Sequence, residues 1–179
     1  MGKAAKMRSI SNRYVVFDVE TTGFGPQRGA RVIEIGAVLV ENGKMISEFQ
    51  SFINCGKAVS RQAQKVHGIT DRMLFGQPAP EEIFPDFHKY ISESTLVAHN
   101  AVFDISFLRY EFSRLGLGMN NGYLCTMKMS RRRFPMLPNH KLETVAKHIL
   151  GNLPPEIHRH RALDDAKLTA MIWLETVKR

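Results

Sequence analysis

The stretch Tyr14-Val15-Val16-Phe17-Asp18-Val19-Glu20-Thr21-Thr22-Gly23 decides how this chain is read. Its first seven residues are rich in β-branched and aromatic side chains, which predicts a strand. Side chains two apart on a strand share a face, so Asp18 and Glu20 project together. Two like charges in so apolar a strand repel each other and resist loss of water. A divalent cation would offset both costs. A solvent-facing strand edge is the plainer explanation, because acids are mostly exposed.

Downstream, Gly23, Gly25, Pro26 and Gly29 mark a loop. Residues 31–40 and 45–53 predict a second and a third strand. Between them, Asn42-Gly43 is a strong hairpin signal, so the chain opens as an antiparallel meander. Short helices are expected over 60–66 and 80–91, with Pro80 suited to a first helical turn. A buried strand is expected over 95–98. Ala101, Ile105, Leu108, Phe112 and Leu115 then recur at helical spacing up to Gly116. Residues 123–127 suggest a fifth strand, 141–150 a helix closed by Gly151, and 162–178 a last amphipathic helix. This order predicts one α/β domain over residues 13–179, a mixed sheet with helices on both faces, behind a basic, disordered tail at 1–12.

The composition narrows the function. Lys and Arg number 25 against 17 acids, giving a net charge of +8, which favours polyanionic partners. No run approaches the ~20 apolar residues of a membrane span, and the basic N-terminus lacks the apolar core of a secretory signal. Neither a membrane partner nor export is expected. Two distant cysteines, Cys55 and Cys125, predict ordinary thiols and a reducing, cytoplasmic setting.

The remaining acids of interest stand at predicted helix starts. Asp104 falls in Asn100-Ala101-Val102-Phe103-Asp104, and Asp164 and Asp165 open the last helix. Each could simply complement the helix dipole. His160 lies on the loop five residues before Asp165, and a lone loop histidine is usually incidental, as its neighbour His158 illustrates.

Taken together, the segments 17–23, 100–104 and 160–165 resemble the three ordered motifs of the DEDDh 3′→5′ exonucleases, and His67-Gly68-Ile69-Thr70 resembles a further signature. The resemblance spans roughly residues 13–177 and is similar to the proofreading epsilon subunits of bacterial DNA polymerase III and their stand-alone relatives. It implies a ribonuclease-H-like fold with sheet order 3-2-1-4-5 and strand 2 antiparallel. It also implies two divalent cations, Mg²⁺ or Mn²⁺, and release of nucleoside 5′-monophosphates from DNA, at single-stranded or frayed 3′ ends.

The same resemblance assigns Asp18, Glu20, Asp104 and Asp165 to the metals and His160 to the general base. Asp164 is the substitute should the five-residue spacing mislead. Thr21 and Thr22 would lie at the 3′ terminus, His67 and Phe103 would flank the terminal nucleotide, and Asn100 would hydrogen-bond locally. A polymerase or replisome is an implied partner. For Phe103 the competing role is core filler, and for His67 a turn residue before Gly68.

The densest basic cluster is Lys128 with Arg131-Arg132-Arg133. It could grip strand phosphates or be a solvated loop. Two other functions stay open: trimming of RNA, because nothing in the sequence reports on the 2′-hydroxyl, and a non-catalytic nucleic-acid-binding module. The presence of all five catalytic positions weighs against the second.

Overall fold

The computed structural model describes residues 13–155 and 160–178. The expected tail at 1–12 and His158 lie outside them. The first strand, β1 (Arg13–Thr21), pairs antiparallel with β2 (Val32–Glu41), which pairs antiparallel with β3 (Lys44–Phe52). Asn42 and Gly43 both adopt positive φ, 50° and 75°, as a two-residue hairpin requires. After the short helices α1 (Arg61–His67) and α2 (Asp71–Leu74), helix α3 (Pro80–Tyr90) leads to β4 (Thr95–Ala98), parallel to β1. Helix α4 (Ala101–Arg114) follows, then β5 (Tyr123–Cys125), parallel to β4. Helices α5 (Thr126–Arg133), α6 (Leu142–Leu150) and α7 (Ala162–Lys178) complete the order. Among the described residues the sheet has five strands in the order β3-β2-β1-β4-β5, as expected.

Strand periodicity divides the core. Val15, Phe17 and Val19 face α3 and α4, packing with Phe84, Phe87, Ile105, Phe107, Leu108 and Phe112. Val16, with Val38, Val40 and Val97, faces α7 and meets Ala170 and Trp173. Asp18 and Glu20 continue the Val16 side, so the last helix must begin over two carboxylates. Gly36, paired with Asp18 across the β1–β2 ladder, allows that approach. A Cβ on Gly36 would stand 2.1 Å from the Leu163 nitrogen, a distance no side chain can occupy.

The parallel β4 pairs with β1 only from Tyr14 to Val16, so on that edge β1 runs past its neighbour to Thr21 at the carboxyl end of the sheet, while β2 stays paired on the other edge. The first turn of α4 reaches this open end. Ligand sites in α/β sheets form characteristically beyond strand carboxyl ends.

One of the two alternatives for the basic cluster and the end of the fifth strand need correction. The basic cluster is not a loop: Lys128 and Arg131–Arg133 belong to α5, which follows a strand ending at Cys125, not at 127. The four-residue α2, capped by the Thr70 hydroxyl, was not expected at all. Cys55 and Cys125 are both free thiols, and no helix among the described residues is long and apolar enough to cross a membrane.

Candidate active site

Four acids and a histidine converge at the carboxyl end of β1. One carboxylate oxygen each of Glu20 and Asp165 and one ring nitrogen of His160 lie within 4.8 Å of one another. Asp18 stands beside them on the same strand face, and Asp104, almost wholly buried, enters from the first turn of α4. Asp165, not its neighbour Asp164, is the acid in the group with Glu20 and His160.

The electrostatics of the cluster are those of several carboxyls buried together. Burial drives the Asp18 carboxyl well above its usual range, and Asp104, Glu20, Asp165 and Glu34 push it further. Glu20 is raised to about 8, first by burial and then by Asp165, Glu34 and Asp104, with Arg161 acting against them. Asp104 is raised to about 7 by burial, although hydrogen bonding from the backbone of Asp104 and Val19 resists the rise. Carboxyls in this condition hold protons near neutrality unless a cation replaces them. Oxygen donors alone suit a hard divalent ion, so the residues present fit such a group.

His160 has a left-handed backbone, φ 61°, and its N–H donates to Asp165 Oδ2 at 3.3 Å. The ring is half-buried. Its place is therefore set by backbone geometry at the entry to α7.

The expected substrate contacts present a mixed picture. His67 is buried: its Nδ1 accepts from the Ile69 N–H at 3.0 Å, so Nε2 donates to the Thr21 carbonyl at 3.1 Å. This histidine ties the end of β1 to α1, and Gly68 closes that helix with φ 72°. Thr21 and Thr22 are buried too. The Thr21 hydroxyl donates to the Gly23 carbonyl, and Thr22 Oγ1 accepts from the Arg31 N–H. Phe103 is half-exposed, one side packed on the core with its ring 4.9 Å from that of Phe107. Asn100 takes the left-handed conformation that asparagine tolerates before α4, without a capping hydrogen bond from its side chain to that helix.

Sequence reasoning missed two ion pairs that hold these loops, one buried and one with its arginine half-exposed. Arg31 clasps Glu111 of α4 through Nε and Nη2, both at 2.7 Å, and Glu111 Oε1 also accepts the Val32 N–H. Glu34 of β2 binds Arg161, beside His160. An acid in the apolar run 32–40 was the available signal for the second pair.

Residues 15–173 match the exonuclease family RNase_T. The chain belongs to that family of exonucleases. A DNA polymerase III of PolC type from Caldanaerobacter subterraneus is 38% identical over 171 residues, which are 96% of this chain but 12% of the relative. A DNA polymerase III subunit epsilon-like protein from Rhodobacter capsulatus is 38% identical over 163 residues, 90% of this chain and 23% of the relative. The chain thus spans only about an eighth of the PolC-type relatives. Among solved structures, Exonuclease X in complex with 5′ overhanging duplex DNA superimposes with a TM-score of 0.72 at 30% identity, covering 93% of this chain and 90% of the other. The nuclease domain of 3′hExo, a DEDDh family member, shares the fold with a TM-score of 0.77 at 18% identity, covering 94% and 92%.

Proposed function

We propose that the enzyme removes nucleoside 5′-monophosphates from single-stranded or frayed 3′ ends of DNA, as a proofreading activity working with a polymerase inside the cell. The observation that carries this reading is the convergence of Glu20, His160 and Asp165 beside Asp18 and Asp104, at the open end of β1. Two free thiols agree with a reducing compartment, and the net charge of +8 suits a polyanionic substrate.

Asp18, Glu20, Asp104 and Asp165 would hold two divalent cations, Mg²⁺ or Mn²⁺. When bound, such a pair stabilises negative charge on the attacking and leaving oxygens of an in-line displacement. His160 takes the proton of the attacking water on a ring nitrogen, which must be neutral to do so. Thr21 and Thr22, fixed by Gly23 and Arg31, set the floor on which the terminal sugar rests. His67 holds the Thr21 carbonyl from below, and the exposed side of Phe103 offers an aromatic face to the last base, a contact of ~1–3 kcal/mol without sequence preference. Asn100 shapes the entry to α4.

The test is degradation of 5′-labelled strands with Mg²⁺ or Mn²⁺, the products identified by mass. A linear single DNA strand is expected to shorten from its 3′ end and a covalently closed circle to survive. Faster loss of an RNA strand would move the substrate class to RNA. Binding without hydrolysis under any cation would make the chain a binding module.

A further inference from the structure

Glu34 is fully buried on β2, directly across the ladder from Glu20 and on the same face of the sheet. Like charges opposite one another destabilise a sheet, yet Glu34 is not a spare ligand of the acidic cluster, because other groups occupy its oxygens. Oε1 accepts from Arg161 Nη2 at 2.8 Å, from Arg161 Nε at 3.2 Å and from Gln50 Nε2 at 3.2 Å. Oε2 accepts from the Ala162 N–H at 3.2 Å and from Arg161 Nε at 3.3 Å. The Arg161 guanidinium also lies 4.9 Å from the centre of the Phe52 ring, so β3 supports it from the other side.

The two residues held in this way follow His160 immediately. His160 has φ 61°, a conformation that costs a non-glycine residue free energy and persists only where the surroundings over-determine it. We propose that Glu34 is a positioning residue for the reaction: by gripping Arg161 and the Ala162 N–H, it holds His160 in the left-handed conformation that brings its ring to Glu20 and Asp165. This inference rests on the reading of His160 as the general base. Gly36, two residues along the same strand face, completes the seat by letting the α7 backbone lie against the sheet.

The test is a double-mutant cycle between Glu34→Gln and His160→Ala, with kcat and KM measured on a 5′-labelled single strand at saturating Mn²⁺. Glu34→Gln keeps the shape and removes the charge that binds Arg161. A misplacement of about 1 Å can cost ~10²-fold, so kcat is expected to fall by about that factor. KM should stay nearly unchanged and thermal unfolding cooperative. In the His160→Ala background the same substitution should cost almost nothing, because a base already absent cannot be misplaced.

Arg161→Gln, on the half-exposed partner, is run through the same cycle so that the answer does not depend on Glu34→Gln folding. Undiminished kcat in both single variants overturns the proposal, as does a loss confined to KM. A loss that persists undiminished in the His160→Ala background also overturns it, since Glu34 would then act through the fold or Asp165 while His160 remained the base. If His160→Ala is itself nearly silent, the reading of His160 as base falls, and this inference with it.

Discussion

Replacing Gly36 with alanine tests whether the first turn of α7 is seated on the sheet as closely as the structure has it. The added Cβ would lie 2.1 Å from the Leu163 nitrogen and 2.3 Å from both the Ala162 carbonyl carbon and the Leu163 Cα. All three atoms are backbone, so no rotamer change relieves the contact. Ordinary contact begins at 3.4 Å, so the helix start must retreat by 3.4 − 2.1 = 1.3 Å along the line to the Leu163 nitrogen. The strand cannot yield instead, because β2 is paired on both sides. His160 and Asp165 would move with the helix start, away from Asp18 and Glu20. A displacement of that size predicts a fall in kcat of ~10²-fold. Overpacking predicts a stability loss of ~1–3 kcal/mol, which for a domain of this size lowers Tm by about 2–12 °C. Initial rates on a 5′-labelled strand and calorimetric unfolding of the same preparation measure both effects. A variant with wild-type kcat and Tm would refute the close seating of α7 and its part in placing the site.

The remaining predictions concern charge. Chelation with excess EDTA should abolish hydrolysis, and Mg²⁺ or Mn²⁺ should restore it; activity that survives chelation would remove the two-cation reading. Raised carboxyl pKa values in the folded state mean that the native protein binds more protons than the unfolded chain above the ordinary carboxyl range, so stability falls as pH rises through the folded values. The lowered pKa values of the buried His67 and the half-buried His99 work the opposite way, but only below the unfolded histidine value of ~6.5. Without divalent cations, Tm should therefore decline between pH ~6.5 and the folded Glu20 value of about 8. Mn²⁺ should flatten the decline and Asp104→Asn should make it shallower; equal slopes in all three would contradict the electrostatic account. Finally, Arg133 donates to the Thr176 carbonyl, whereas Arg131 and Arg132 are exposed with Lys128 around a recess beside Tyr123. Arg131→Ala with Arg132→Ala should weaken binding to a single strand and flatten its salt dependence, measured by anisotropy in EDTA; an unchanged salt slope would leave this surface without a role in binding.

The fold was legible wherever a buried face is apolar. β-Branched and aromatic residues marked β1, a near-continuous apolar run is β2, the Asn42-Gly43 turn signalled the hairpin to the next strand, and the stripe from Ala101 to Leu115 announced α4. Helix α5 escaped because its fully buried residues are polar. Thr126 and Ser130, one turn apart, are buried and bond to His99 and His140, while the residues between them and after them are mostly long and basic. A search for apolar recurrence has nothing to find there, and three successive arginines suggest a solvated loop. Helix α2 escaped for a different reason: four residues held by the Thr70 cap have no room for any periodicity.

The candidate site divides along the same physical line. Asp18 and Glu20 could be seen to share a face because their relation is local, set by strand geometry over two residues. Glu34 sits 127 positions from Arg161, and no local rule connects an acid in an apolar strand to an arginine on a distant loop. The oddity of Glu34 was nevertheless visible. An unpaired carboxylate among valines and isoleucines costs too much to be left alone, so its presence required a cation somewhere in the fold. Arg161 is that cation. Burying the pair contributes little net stability by itself, so the case for a role rests on what it is attached to. It holds the two residues after His160 against the strand paired with Glu20, which places the proposed general base and the proposed metal-binding acids on one frame. Removing the charge on Glu34 should therefore show in turnover before it shows in the fold.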